Sequence, residues 1–440
     1  MTARRVTRAP WLASALVAGA LATGACGTGQ RPVRIGVVVD CVGINRPLEG
    51  AELAGAELPL VERGGRLGAS GPLGGVSPAR IAGRRVELVR GCTEVLEFST
   101  LTAEIRRLVE QEHVDVVVAG ASGADELVMR DVARRYPRVV FLPVVHGPRD
   151  VTLHRPAPNV YRVAADHGQG VAGLATYAFR TLGWRRAAVA VGDWDVGWGA
   201  RDAFVTEFCA LGGRVTSQLA RAPFDPQGRD AALVPRDIDG VAVFAPAFFG
   251  PARFVQRLAR RLGDPPHRMV VGPSIADDPD LLRATRSALA GVVASSATPP
   301  PERSPALRAY QRAMARAFPG IPGDAARSEL VLGYRNAVEF VARGLQRASG
   351  DPARLPGTLI RLRTDLLGVP VSLDGNHQAV VTTTIVRIGR RTVSAADPGL
   401  TQLASVPGVD QSIGGLLAPS LSTRFGQAPC RRATPPPWSR

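Results

Sequence analysis

The stretch Val114-Asp115-Val116-Val117-Val118-Ala119-Gly120-Ala121-Ser122-Gly123 decides how the chain reads. Val114 to Val118 is an almost unbroken apolar run, the pattern of a strand buried on both faces of a parallel sheet. Small residues follow, and a helix is expected from about Gly123 to Tyr136. A strand that ends by opening a helix is half of a strand–helix–strand unit.

The unit recurs on both sides. Upstream, Val33 to Val39 is a strand, followed by a helix over about Glu49 to Glu62 that closes at Gly64-Gly65. Arg85 to Val89 is strand-like, and Leu101, Ile105, Leu108 and Val109 share one helical face. Downstream, Val139 to Leu142 completes the first set. After Arg162 the pattern restarts: a helix over Gly168 to Leu182, a strand at Ala187 to Val191, and a helix over Arg201 to Leu211 ended by Gly212-Gly213. A strand at Val241 to Ala245, a helix from Pro251 to Leu262 and a strand at Met269 to Val271 follow. Helices are then expected from Ser304-Pro305 to Phe318 and from Ala326 to Ala348. Val371 to Leu373 and Ala379 to Ile388 flank Asp374-Gly375, a hairpin signal. The fold class is α/β, with two Rossmann-like lobes and a ligand cleft between them at the C-terminal ends of strands.

Composition agrees with a globular chain: 45% apolar and 21% charged over 440 residues. The formal charge of +16 comes wholly from Arg, since the sequence has no Lys. Nucleic-acid binding is not supported, because the Arg residues are scattered and no Arg stripe interleaves with aromatics. No apolar stretch long enough to span a bilayer follows the first 25 residues.

Residues 1–25 have the layout of a secretory leader: Arg4, Arg5 and Arg8, then a short apolar run from Trp11 to Ala22. Leu21-Ala22-Thr23-Gly24-Ala25-Cys26 resembles a bacterial lipobox, with Thr23 where Leu is more usual. The resemblance implies acylation of Cys26, residues 26–32 as a lipidated linker, and a location outside the cytoplasm on the membrane surface. An ordinary cleaved leader and a retained anchor are the alternatives. Four cysteines remain. Cys41 and Cys92 follow the first and second strands, whose ends are neighbours in a parallel sheet, so a Cys41–Cys92 disulfide is expected. Whether Cys209 pairs with Cys430 is left open.

Several segments together resemble the type I periplasmic binding proteins, in the branch that binds leucine, isoleucine and valine for ABC transporters. They are Arg34 to Val39, Gly55-Ala56-Glu57-Leu58, Val116 to Ser122, Tyr161-Arg162 with Asp166 to Gly170, Gly333-Tyr334-Arg335-Asn336-Ala337 and Leu373 to Asn376. The resemblance implies two lobes joined by three crossovers. Lobe one would be 33–162 plus 291–369, and lobe two 163–290 plus 370–395. A small-molecule ligand would bind in the cleft by hinge closure, and the closed form would dock on an ABC permease or a membrane sensor.

The resemblance also nominates residues. Ser122 and Gly123 open the helix whose N-terminus would take a ligand carboxylate, the alternative for Ser122 being a plain N-cap. His146 would donate to an anion or pack on the cleft wall. In Gly192-Asp193-Trp194-Asp195-Val196-Gly197-Trp198-Gly199, Val196 stands where the family has Tyr. Trp194 and Trp198 offer an aromatic wall, or ordinary packing. Phe248 and Phe249 match an aromatic pair. Ser274 stands where the amino-acid binders place the Glu that pairs with the ligand ammonium, and Asp166, Asp277 or Asp278 would have to substitute. These departures leave the ligand class open among amino acids, amides and small carboxylates, and keep a sensor not coupled to transport as the alternative. No Gly-x-Ser-x-Gly elbow and no metal-ligand His spacing occurs, so neither enzyme chemistry nor a cofactor or metal is expected. Residues 396–440 lie outside the resemblance and read as loop, partly disordered. Gly64 to Gly83 reads as a surface loop.

Overall fold

A computed structural model describes residues 31–439 apart from 297, 301–302, 392–396 and 419–427. The leader and Cys26 lie outside the described residues. The first sheet forms around Val33–Asp40, buried along its length except for half-buried Arg34. It pairs in parallel with Arg84–Thr93 on one side and Val116–Ala119 on the other, and Val140–Pro143 follows. A short antiparallel strand, Ala79–Ile81, closes the far edge. The apolar runs lie in the interior of the sheet because helices cover both faces. Phe98–Glu110 buries Leu101, Ile105 and Leu108 from one stripe, as the spacing predicts. Each such side chain contributes about 1.5–3 kcal/mol of burial.

The second sheet has nine strands. Arg214–Arg221, Arg186–Gly192, Gly240–Phe244, Met269–Val271 and Val293–Ser296 run in parallel, and Ala379–Ile388 then pairs antiparallel to the last of them. Val293–Ser296 belongs to this sheet, so the chain leaves it after Ser296 and not at 291. The hairpin Thr364–Leu366 and Val369–Leu373 is hydrogen-bonded to Ala379–Ile388, yet it buries Leu366 and Val371 in the core of the first lobe.

Two stretches read as loop carry strands. Gly64 to Gly83 carries a small hairpin, Leu67–Gly68 with Gly71–Val76. The tail read as loop contains a ten-residue strand, Leu400–Val409, paired along Ala379–Ile388. Pro407 and Gly408 are strand breakers, but they sit on an outer strand beside a register shift, where a missing N–H and a positive φ are tolerated.

Both cysteine pairs are joined: Cys41–Cys92 and Cys209–Cys430, each with Cα atoms 5.4 Å apart. The first follows from register, since Val39 is opposite Cys92. The second ties the tail to the helix Asp195–Ala210, reinforced by two Gln218–Ala428 hydrogen bonds and by Trp438, whose Nε1 donates to Glu207.

Candidate functional site

The helix Gly123–Ala133 starts where the strand Val116–Ala119 ends. Ser122 is its N-cap: its hydroxyl oxygen accepts the Asp125 N–H at 3.2 Å and donates to Asp125 Oδ2 at 2.7 Å. The other Asp125 oxygen accepts the Leu96 N–H. Ser122 thus fills the plain capping role.

Gly123 meets the second lobe. A Cβ there would lie 2.1 Å from Asp195 Oδ2 and 2.8 Å from Pro148. Asp195 is the first residue of the helix Asp195–Ala210. The two helices therefore meet N-terminus to N-terminus with the Asp195 carboxylate between them, a position favoured by both dipoles. Its Oδ1 accepts the Val196 N–H at 2.7 Å, and its Oδ2 lies 3.8 Å from His167 Nε2. Nothing in the sequence pattern singles out Asp195, because the aromatics are the distinctive residues of its turn.

His146 leaves the strand Val140–Pro143 and donates its backbone N–H to Glu329 Oε1 at 2.5 Å, with its ring Nδ1 3.6 Å from the same oxygen. Glu329 opens the helix Glu329–Arg347, which Ser328 caps. This helix packs backbone against backbone on the His146 loop, since a Cβ on Gly333 would lie 1.8 Å from the Val144 carbonyl oxygen. A Glu at the start of a capped helix carries no sequence mark of facing a cleft.

Beneath the loop lies a fully buried ion pair, Arg162 Nη1 to Glu126 Oε2 at 2.9 Å. Arg162 also donates to Gln378 Oε1 at 2.5 Å and to the Pro148 carbonyl at 3.0 Å. Burial pushes the Glu126 carboxyl up, against the pull of Arg162. The pair links the first lobe to two crossover segments, which also pair directly at Arg162 and Gln378.

Asp166 is bonded within the protein. Its Oδ1 accepts the Gln169 N–H at 2.7 Å, and its Oδ2 accepts from Gln411 Nε2 at 3.0 Å. Gln411 reaches on to Thr152, which donates to its Oε1 at 2.9 Å. Asp277 accepts from Ser296 at 2.6 Å, and Asp278 caps the helix Pro279–Leu289. All three acids named as stand-ins for the family Glu are thus engaged internally. Ser274 sits half-buried in the short helix Pro273–Ala276. Its neighbour Pro273 packs against Gly170, on the same side as His146.

Trp194 precedes the helix Asp195–Ala210 and tilts against Phe249 at 6.4 Å between ring centroids. Trp198 donates from Nε1 to Asp193 at 2.8 Å. Val196 sits one residue into the helix, half-buried. Phe248 lies in the turn Ala247–Phe249, and its side chain lies outside the described residues. Behind His146 and Glu329 a cavity of about 100 Å³ runs toward the crossovers between walls such as Val144, Leu332, Val371 and Val381. Among the described residues no group of three His, Cys, Asp or Glu could hold a metal ion.

Two α/β lobes joined by crossovers, with helix N-termini facing across the cleft, define a two-lobed solute-receptor architecture. The chain belongs to the periplasmic binding protein family, whose sequence profile matches residues 32–392. The fold is of type I, as in three solved structures. An ABC transporter substrate-binding protein from Sphaerobacter thermophilus has a TM-score of 0.73 at 18% identity, over 87% of this chain and 99% of that one. A solute-binding protein from R. palustris in complex with benzoate has 0.68 at 19%, over 86% and 98%. A leucine-binding protein from Thermotoga maritima has 0.66 at 17%, over 85% and 99%. No curated protein sequence matches the chain.

Proposed function

We propose that the chain is an extracytoplasmic, lipid-anchored solute receptor of an ABC uptake system. It binds a small polar molecule, an amino acid, an amide or a small carboxylate, between its lobes and presents the closed form to a permease. The carrying observation is the Asp195 carboxylate held against the helix N-terminus at Gly123. An anion thus lies beside that helix end in this protein, and a ligand carboxylate would exchange for Asp195 when the lobes part. The cavity behind His146 and Glu329 would take the apolar body. The benzoate complex and the leucine-binding protein support a ligand of this size.

The test is a thermal-shift screen of the purified chain and of Asp195→Asn against amino acids, their amides, aliphatic acids and benzoates. A ligand at a hundred times its Kd stabilises by about 2.7 kcal/mol. The expected result is a saturable shift with one class, tighter in Asp195→Asn if the ligand is an anion. A flat response in both proteins counts against the reading. Anchoring is tested separately: Cys26→Ser should move the protein from the detergent phase to the aqueous phase.

The same contact also favours a second reading, a membrane-anchored sensor or interaction protein, because the cleft's own acid fills the anion position. Under that reading small-angle scattering shows a closed form that no solute changes.

A further inference from the structure

We propose that the first lobe carries a second small-molecule site, under the hairpin Leu67–Val76, which takes an apolar primary amine through Glu57. This site is separate from the cleft and does not depend on the function proposed above.

The helix Glu49–Val61 places Leu53 and Glu57 one turn apart on the same face. With Val37 and Leu88 from the sheet they line a cavity of about 640 Å³, which the hairpin roofs. Gly71 and Gly75, at φ of 61° and 73°, let the hairpin fold over it. Glu57 is 2% exposed, and its buried Oε2 has no hydrogen-bond partner among the described residues. Burial alone pushes its carboxyl up to about 8. Two cations also line the cavity: Arg66, which is exposed to solvent, and Arg90, which is paired with Glu49.

A buried carboxyl without a partner is costly, and a bound group that brings hydrogen-bond donors removes that cost. An ammonium supplies donors and opposite charge. An apolar body covers Leu53 and Leu88. An anion brings no donor and would oppose ionisation of Glu57, and a plain alcohol brings one donor and no charge. The cavity is of the size that holds small organic ligands.

The test is fluorine NMR on the whole chain with para-fluorophenethylamine, against the matched alcohol and the matched phenylacetate. The proposal expects saturable binding of the amine alone. Glu57→Gln should weaken it by about tenfold or more, and Val76→Trp, which fills the cavity from the roof, should block it with Glu57 intact. Glu329→Gln should leave it unchanged. Urea melts should show Glu57→Gln at least as stable as the unaltered chain, because it removes a buried ionisable group. The proposal is overturned if the amine does not bind, if all three probes bind alike, or if Glu329→Gln and not Glu57→Gln abolishes binding, which would place the amine in the cleft.

Discussion

Asp195 of one lobe lies against Gly123 of the other, so close that a single methyl on Gly123 would overlap its carboxylate. The contact joins the N-termini of two helices through one anion.

Gly123→Ala should therefore push the lobes apart. The added Cβ meets both Asp195 and Pro148; the Asp195 carboxylate must swing out of the contact, and the Pro148 ring cannot turn aside without its backbone. Small-angle scattering should give a larger radius of gyration for the variant than for the parent chain. Asp195→Ala combined with Gly123→Ala should restore part of the difference. An unchanged radius in Gly123→Ala would mean that Asp195 does not hold the closed form.

Buried carboxyls set a pH dependence. Glu52 accepts the Asp40 N–H at 3.0 Å, and burial, helped by the nearby Asp40 charge, raises its carboxyl from 4.5 to about 8. A carboxyl raised on folding stabilises fully below its unfolded value and loses that contribution as pH climbs through its folded value. Stability should therefore fall between about 4.5 and about 8. Denaturant melts across this window should show the decline, and Glu52→Gln should flatten it. A decline of the same slope in Glu52→Gln would assign it to other groups.

Gly333→Ala should destabilise by about 1–3 kcal/mol, the usual range for forcing an extra methyl group into a packed interior. The obstacle is the backbone carbonyl of Val144, 1.8 Å from the new Cβ, and it cannot turn aside as a side chain would. Chemical denaturation measures the loss. Because Gly333 seats the helix that carries Glu329, ligand binding should weaken in parallel.

Removing the Cys209–Cys430 disulfide with Cys430→Ser should cost about 2–5 kcal/mol, as for native disulfides that close long loops; the sequence separation is 221 residues. Gln411→Ala acts on the same tail. It frees Asp166 Oδ2 and Thr152 at once, so amide exchange at Thr152 and Gln169 should quicken. Thermal unfolding reports the first effect and hydrogen exchange the second. If Cys430→Ser melts like the parent, the tail is held by Trp438 and Gln218 alone.

The strands and helices were largely legible because their signals are local. Val33 to Val39, Met269 to Val271 and the stripe of Leu101, Ile105 and Leu108 each show their burial in a short window. The tail strand Leu400–Val409 was not legible, since Pro407 and Gly408 read as breakers until a neighbouring strand supplies the edge on which they are tolerated. Of the site, the loops holding Ser122, His146 and Ser274 came from family resemblance. The partners of those residues did not.

By itself the sequence determined the α/β alternation, the order of the units and the Cys41–Cys92 link, because periodicity and strand order depend on near neighbours in the chain. Only the tertiary structure decided which acids face which partners. Asp166 turns to Gln411, 245 residues away, and Glu329 turns to His146, 183 residues away. Such pairs are chosen by packing and by the need of buried polar atoms for partners, and those constraints act across space and leave no period in the sequence.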